Sequence, residues 1–264
     1  MNKFCTQGRK IGIFKNFCVA QQARRSFMKK SESAEKMLYV FDLNGVLGYV
    51  DTGKNYEAMQ KFYTREPDFK EGGCRVWHRP NLGKVAKDML IKQRGKVNIG
   101  IWSCQNKENT EKQLKAFFGR TYSHLLFVFY SSNREQVTQS DSIHDIEPIP
   151  MKRDLKMIYD KYSFHNEENT VMISNFPNEL DDYHYNEIVL PLYDPLRGQT
   201  DFEDDKHMSY LEKYINGLHA MDTYIGTDVR AKINNISYKK FIQKYTKKIR
   251  YDSNSFSSGN AGSF

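Results

Sequence analysis

The chain has 264 residues, with 40 basic and 32 acidic side chains and a formal net charge of +8. That length suffices for one large domain or two small ones with a real core. No apolar run reaches the ~18 residues of a membrane-spanning helix, and four scattered cysteines (Cys5, Cys18, Cys74, Cys104) without a C-x-x-C pair point to neither a zinc site nor a disulfide framework.

Residues 1–31 hold eight of the basic residues (Lys3, Arg9, Lys10, Lys15, Arg24, Arg25, Lys29, Lys30) and no acid; Glu32 is the first. The other 32 basic residues balance the 32 acids, so the basic character belongs to the N-terminal stretch. A nucleic-acid footprint needs a basic face on the folded domain, and the charge balance supports none; no nucleic-acid partner is expected. The acid-free stretch is interrupted by Ile11, Ile13, Phe14, Phe17, Cys18 and Val19, which is the composition of a mitochondrial targeting segment. Arg25-Ser26-Phe27 before Met28 resembles a matrix-protease cleavage context. A disordered basic arm is the plainer alternative.

The folded part opens with Met37–Phe41, an apolar, β-prone run that ends on Asp42 and turns through Asn44-Gly45. This pattern predicts a buried parallel strand that delivers a carboxylate to the C-terminal edge of a sheet. Residues 48–78, broken by Gly53, Pro67 and Gly72-Gly73, read as an inserted loop or small flap. Arg79-Pro80 opens a helix with Leu82, Val85, Ala86, Met89 and Leu90 on one face, stopped by Gly95. Val97–Trp102 is a second strand ending at Ser103. Asn109–Phe118 reads as a helix, Leu125–Tyr130 as a third strand, and Lys152–Tyr162 as a helix. Thr170–Ile173 and Ile188–Leu190 are the fourth and fifth strands. Residues 194–207 form an acidic loop, and helices follow at Met208–Leu218 and around 238–249. The last presents Phe241, Ile242, Tyr245 and Ile249 on one side, with lysines around the rest. The tail 253–264 is Ser/Gly/Asn-rich and expected to be disordered. Strands alternating with helices imply an α/β fold with a mostly parallel sheet. Its strand ends would bring Asp42, Ser103 and Ser174-Asn175 to one edge.

Several segments resemble one family in the right order. Phe41-Asp42-Leu43-Asn44-Gly45-Val46-Leu47 resembles the D-L-D-E-T-L motif of the haloacid-dehalogenase superfamily. Arg79-Pro80-Asn81-Leu82, Ile101-Trp102-Ser103, Lys152-Arg153-Asp154-Leu155, Ile173-Ser174-Asn175-Phe176-Pro177 and Asn186-Glu187-Ile188 are similar to the later motifs of its RNA-polymerase carboxy-terminal-domain phosphatase (NLI-interacting-factor-like) branch. The resemblance covers about residues 36–230, leaving 231–252 as a basic C-terminal helix. It implies a haloacid-dehalogenase-like α/β sheet with an inserted flap. The mitochondrial branch of the family is the Tim-type presequence receptor, which carries a membrane anchor that residues 28–36 cannot supply.

The family's chemistry uses a carboxylate nucleophile, a second carboxyl two residues on as general acid/base, and magnesium. Asp42 matches the nucleophile, but the second position is Asn44, an amide that exchanges no proton. The fourth-motif acid is Ser174, followed by Asn175. The third-motif lysine falls on Arg153, or on Lys152 with a slip of one residue. Ser103 matches a phosphate ligand or is simply a turn residue. Cys104 reads as a small filler, and His78, His165 and His184 as surface or satisfied core histidines. Asp181-Asp182 and Glu203-Asp204-Asp205 read as solvated loop acids. Asp42, Asn44, Ser103 and Arg153 are thus expected as a vestigial catalytic set, and Asp42, Ser174 and Asn175 as a vestigial metal set. No cofactor is expected unless residual phosphatase activity uses magnesium. The sequence therefore predicts a non-enzyme: a pseudophosphatase serving as accessory subunit of a mitochondrial, inner-membrane-associated protein complex, on the matrix or intermembrane-space side. A presequence-peptide-binding import component and a weak magnesium-dependent phosphatase using Asp42 are the alternatives. Peripheral membrane contact through the basic helix at 239–250 is open.

Overall fold

Met37–Phe41 form β1, and all five side chains are buried. A strand covered on both faces belongs inside a parallel sheet, and β1 lies at its centre. The computed structural model describes residues 36–53, 56–57, 65–93, 95–130, 153–177, 180, 183–194, 204–222 and 227–257. After β1 come β2 (Gly48–Asp51), β3 (Phe69–Glu71) and β4 (Cys74–His78). Next are α1 (Leu82–Lys87), which runs into a π-helical turn (Asp88–Lys92), β5 (Val97–Trp102), α2 (Lys107–Phe118) and β6 (Phe127–Phe129). The chain continues through α3 (Lys156–Lys161), β7 (Thr170–Ser174), β8 (Glu187–Val189), α4 (His207–Ala220), α5 (Val229–Asn235) and α6 (Tyr238–Ser257).

The main sheet has the order β6-β5-β1-β7-β8, and every pairing is parallel. Successive strand side chains point to opposite faces. Tyr39, Phe41, Ile99, Ile101, Val171 and Ile173 therefore meet Leu82, Leu114, Leu211 and Ile215 on one side. Leu38, Val40, Trp102 and Met172 meet Leu155, Ile158 and Leu180 on the other. The expected flap is a second, antiparallel sheet of order β2-β4-β3. Gly72 and Gly73, both at positive φ, turn β3 back into β4. Tyr49 and Trp77 fasten this sheet to Tyr193.

Several boundaries differ from the sequence expectation. Asn81 takes a left-handed conformation (φ 67°), so α1 begins at Leu82 and not at Pro80. Its five expected apolar residues are all buried. The helix expected from Lys152 begins at Lys156, where Asp154 Oδ1 accepts the Lys156 N–H. α5 was not foreseen; Asp228 caps it by accepting the Arg230 N–H at 2.9 Å. α6 continues through Ser253–Ser257, so that part of the tail is helical and not disordered; a helix already packed on the core extends at low cost per residue. Residues 1–31, 131–152 and 258–264 lie outside the described residues.

Candidate functional site

A parallel sheet gathers its strand ends on one edge, and open α/β folds bind there. Asp42 follows β1, and its N–H donates to the Ile173 carbonyl at 3.0 Å. Ser103 follows β5, and its N–H donates to the Phe129 carbonyl at 2.8 Å. The turn after Asp42 needs Gly45, whose φ is +80°. A Cβ there would lie 2.5 Å from Asn175 Nδ2 and 2.5 Å from Leu192 Cδ1. The first and fourth motifs therefore touch through a glycine.

Arg153 supplies the partner of Asp42. Its side chain is fully buried, and Nη2 donates to Asp42 Oδ2 at 2.7 Å and to Cys104 Sγ at 3.3 Å. The other carboxylate oxygen, Oδ1, accepts the Leu43 N–H at 2.7 Å. Asp42 is thus both a strand-end carboxylate bonded to its own turn and one half of a buried ion pair. Between the two sequence candidates for the cation, Arg153 makes this contact; Lys152 lies outside the described residues.

The remaining expected site residues turn elsewhere. Ser103 Oγ accepts from the Gln105 N–H (3.1 Å) and the Thr110 hydroxyl (3.0 Å), which makes it a turn residue anchoring the start of α2. Asn44 is exposed, and its Oδ1 accepts the Val50 N–H at 3.0 Å, tying the turn to the flap. The buried Ser174 hydroxyl donates to the Phe176 carbonyl and to Glu187 Oε1, both at 2.9 Å. Glu187 went unnoticed as a site residue, because its reach to Ser174 depends on the β7–β8 register, in which it pairs with Met172. Asn186 is structural, since its amide donates to the carbonyls of Glu167 and Thr170.

Arg79 does more than open a helix. It is buried, with Nε and Nη2 donating to the two carboxylate oxygens of Asp205 at 3.0 and 2.9 Å. Nη1 also donates to the Val46 carbonyl and Nη2 to that of Pro191. It therefore joins the Asp42 turn, the segment after β8 and the start of α4. Asp205, expected as a solvated loop acid, is buried because it neutralises this guanidinium. Asp181, Asp182 and Glu203 lie outside the described residues. His78 and His165 are core histidines: Ala116 O lies 2.9 Å from His78 Nε2, and His165 sits between Asn98 and Asn169. Burial holds both below the ordinary histidine range. The side chain of His184 is outside the described set.

The residues do not fit the magnesium ion that the family resemblance implies. That ion takes oxygen ligands, with at least one or two carboxylates free to face it. Asp42 already holds a guanidinium, a cation that repels a second cation on the same carboxylate. The Ser174 proton is directed at Phe176 and Glu187. Asn175 Oδ1 is buried without a hydrogen-bond partner among the described residues, but it is a lone neutral oxygen. No group of three His, Cys, Asp or Glu side chains gathers as a metal site among the described residues.

No protein-family model matches the chain, and no curated protein sequence is significantly similar to it. Solved structures do resemble it. Fcp1, an essential RNA polymerase II CTD phosphatase, aligns over 81% of this chain and 69% of its own, at 13% identity and a TM-score of 0.48. The fission yeast enzyme with the R271A substitution, bound to beryllium fluoride, aligns over 81% and 70%, at 13% identity and a TM-score of 0.49. A protein assigned as a beta-phosphoglucomutase from Thermotoga maritima aligns over 67% of this chain and 99% of its own, at 10% identity and a TM-score of 0.38. These neighbours carry the names of enzymes, and this corrects the expectation of a non-enzyme, which rested on Asn44 and Ser174; that expectation is dropped. At such identities the likeness bears on the fold, so what the site does is argued from its own residues. The chain has an α/β fold, with a central five-stranded parallel sheet, helices on both faces and a small antiparallel flap inserted after the first strand, which is the architecture that the resemblance in the sequence implies.

Proposed function

We propose that the chain is a slow hydrolase of phosphorylated substrates, with Asp42 as nucleophile and Arg153 as the group that receives the phosphoryl charge. The observation that carries this reading is the buried Asp42–Arg153 pair at the carboxyl edge of the sheet. A carboxylate held by the Leu43 N–H and a guanidinium has a fixed orientation, which a nucleophile needs. A guanidinium is permanently charged, and its planar fork matches phosphoryl oxygens. Asn44 offers no proton, so the rate should fall about 10²–10⁴-fold short of a site with a positioned acid/base. The test is phosphate release from para-nitrophenyl phosphate by concentrated full-length protein. Turnover that disappears in Asp42→Asn supports the reading, and its absence in the wild type sinks it.

The acid-free basic residues 1–31 support mitochondrial residence, with the folded domain serving there as an accessory subunit of an inner-membrane-associated complex. Fusing residues 1–31 to a fluorescent reporter tests the address; diffuse cytosolic signal would refute it.

A further inference from the structure

A second concavity lies between α4 and the start of α6 and shares no residue with the Asp42–Arg153 edge. Its volume is about 300 Å³, at the lower end of the range for small-molecule sites. Tyr214 and Met221 line it from α4, and Phe241 and Tyr245 from α6, with the exposed Lys244 at its rim. The polar atoms of these walls are spent on one another. The Tyr214 hydroxyl donates to the Ile236 carbonyl at 2.7 Å, and Lys213 Nζ donates to the Tyr245 hydroxyl. What the slot presents is therefore mostly carbon. The Tyr214 and Phe241 ring centres lie 5.3 Å apart, and Phe241 stacks on Tyr245 at 5.8 Å.

Gly217 also lines the slot, inside α4, where glycine is a poor helix former. A Cβ there would meet nothing within 4 Å, so packing does not demand a glycine, and a larger side chain would enter the free space of the slot. The charge around the slot has one sign. α6 carries Lys239, Lys240, Lys244, Lys247, Lys248 and Arg250 and reaches no acid before Asp252. Lys213 of α4 stands over the Tyr245 ring, with Nζ 4.5 Å from its centre. Glu212, the acid of α4, and Asp222, just beyond it, are paired with Lys84 and Lys232. An apolar slot rimmed by ammonium groups fits an occupant that is apolar along its length and anionic at one end. A bilayer surface fits less well. Phe241 and Ile242 pack on the core, so α6 turns its lysines outward and its apolar side inward, whereas a helix lying in a membrane surface buries its apolar side there.

We propose that this slot binds one fatty carboxylate, its alkyl chain along Tyr214, Met221 and Phe241 and its carboxylate at Lys244. Binding makes and breaks no covalent bond, and the site is independent of the phosphoryl chemistry proposed for Asp42. Burial of alkyl surface sets the affinity, which should rise by up to about fourfold per methylene until the slot is full. The exposed charge contact adds less, up to about fivefold in all.

The experiment is isothermal titration calorimetry of full-length protein with octanoate, decanoate and dodecanoate, each below its micelle concentration. The expected result is saturable binding at one site that tightens from octanoate to dodecanoate and that dodecyltrimethylammonium does not reproduce. Gly217→Leu fills the slot with a better helix former and should abolish binding while the thermal midpoint holds or rises. Lys244→Gln changes only an exposed side chain and should weaken binding by up to about fivefold. Absence of saturable dodecanoate binding would overturn the proposal, as would equal binding of the cationic amphiphile or an affinity indifferent to chain length. Binding unchanged in both variants, or confined to phosphatidylglycerol vesicles, would overturn it as well.

Discussion

At the scale of single residues, two buried guanidinium–carboxylate pairs do different jobs. Arg79–Asp205 joins three segments of the chain by a bidentate contact and two backbone carbonyls. Removing one partner strands a buried charge, so Arg79→Ala should lower unfolding stability by about 3–5 kcal/mol, read from a denaturant melt. Arg153–Asp42 sits at the strand-end edge, where the arginine side chain is fully buried and the carboxylate is 12% exposed. His165 sets an acid limit. Asn98 Nδ2 donates to its Nε2, so Nδ1 carries the proton toward Asn169 Oδ1, and the buried ring is neutral. Burial lowers its pKa from 6.5 to about 4. The unfolded chain therefore binds a proton that the native state refuses, and stability falls as pH drops from about 6.5 towards 4. For this histidine alone the loss is roughly 3 kcal/mol at the lower end, at about 1.4 kcal/mol per pKa unit. His78, His207 and His219 are also lowered by burial and add in the same direction. Denaturant midpoints from pH 7.5 to 4.5 check this; a flat profile, or no flattening in His165→Gln, would be evidence against it. Asp42 and Ser103 were legible in the sequence because each ends an apolar run. The choice between Lys152 and Arg153 was not, because it depends on where the following helix starts. The Ser174–Glu187 contact was hidden because it depends on how two strands align.

At the scale of elements, short apolar runs located every strand of the main sheet and period-3.6 patterns most of its helices, while capping chemistry set their ends. Asn106 shows the latter: its side chain accepts the Asn109 N–H at 2.9 Å and starts α2 at Lys107, ahead of the expected Asn109. Asn106→Ala should cost about 1 kcal/mol, measurable as a lower thermal midpoint with the fold retained. Gly45 is less forgiving. An alanine there must adopt a left-handed backbone, at about 1–2 kcal/mol, and its Cβ would strike Asn175 and Leu192. Gly45→Ala should therefore destabilise by more than that backbone cost and displace the Asp42 turn. α5 escaped notice because it is short and polar, held by its Asp228 cap and by burial of Val229 and Ile233. The flap was legible as an insertion but not as a sheet, since β3 is brief and mostly exposed.

At the scale of the whole molecule, the parallel sheet converts sequence order into spatial convergence: a carboxylate after β1 meets an arginine that precedes α3. No helix among the described residues is long and apolar enough to cross a membrane. The exposed lysines of α6 (Lys239, Lys240, Lys244, Lys247) ring a helix whose Phe241 and Ile242 pack on the core, so its apolar side is partly used within the fold. We propose that the Asp42–Arg153 pair receives a phosphoryl group. Phosphorus NMR of inorganic phosphate titrated with full-length protein tests it most directly. The predicted result is saturable broadening or shift of the phosphate signal with wild type, weakened by Arg153→Lys, which keeps the charge but loses the planar fork. A phosphate signal that the wild-type protein leaves unchanged would contradict it.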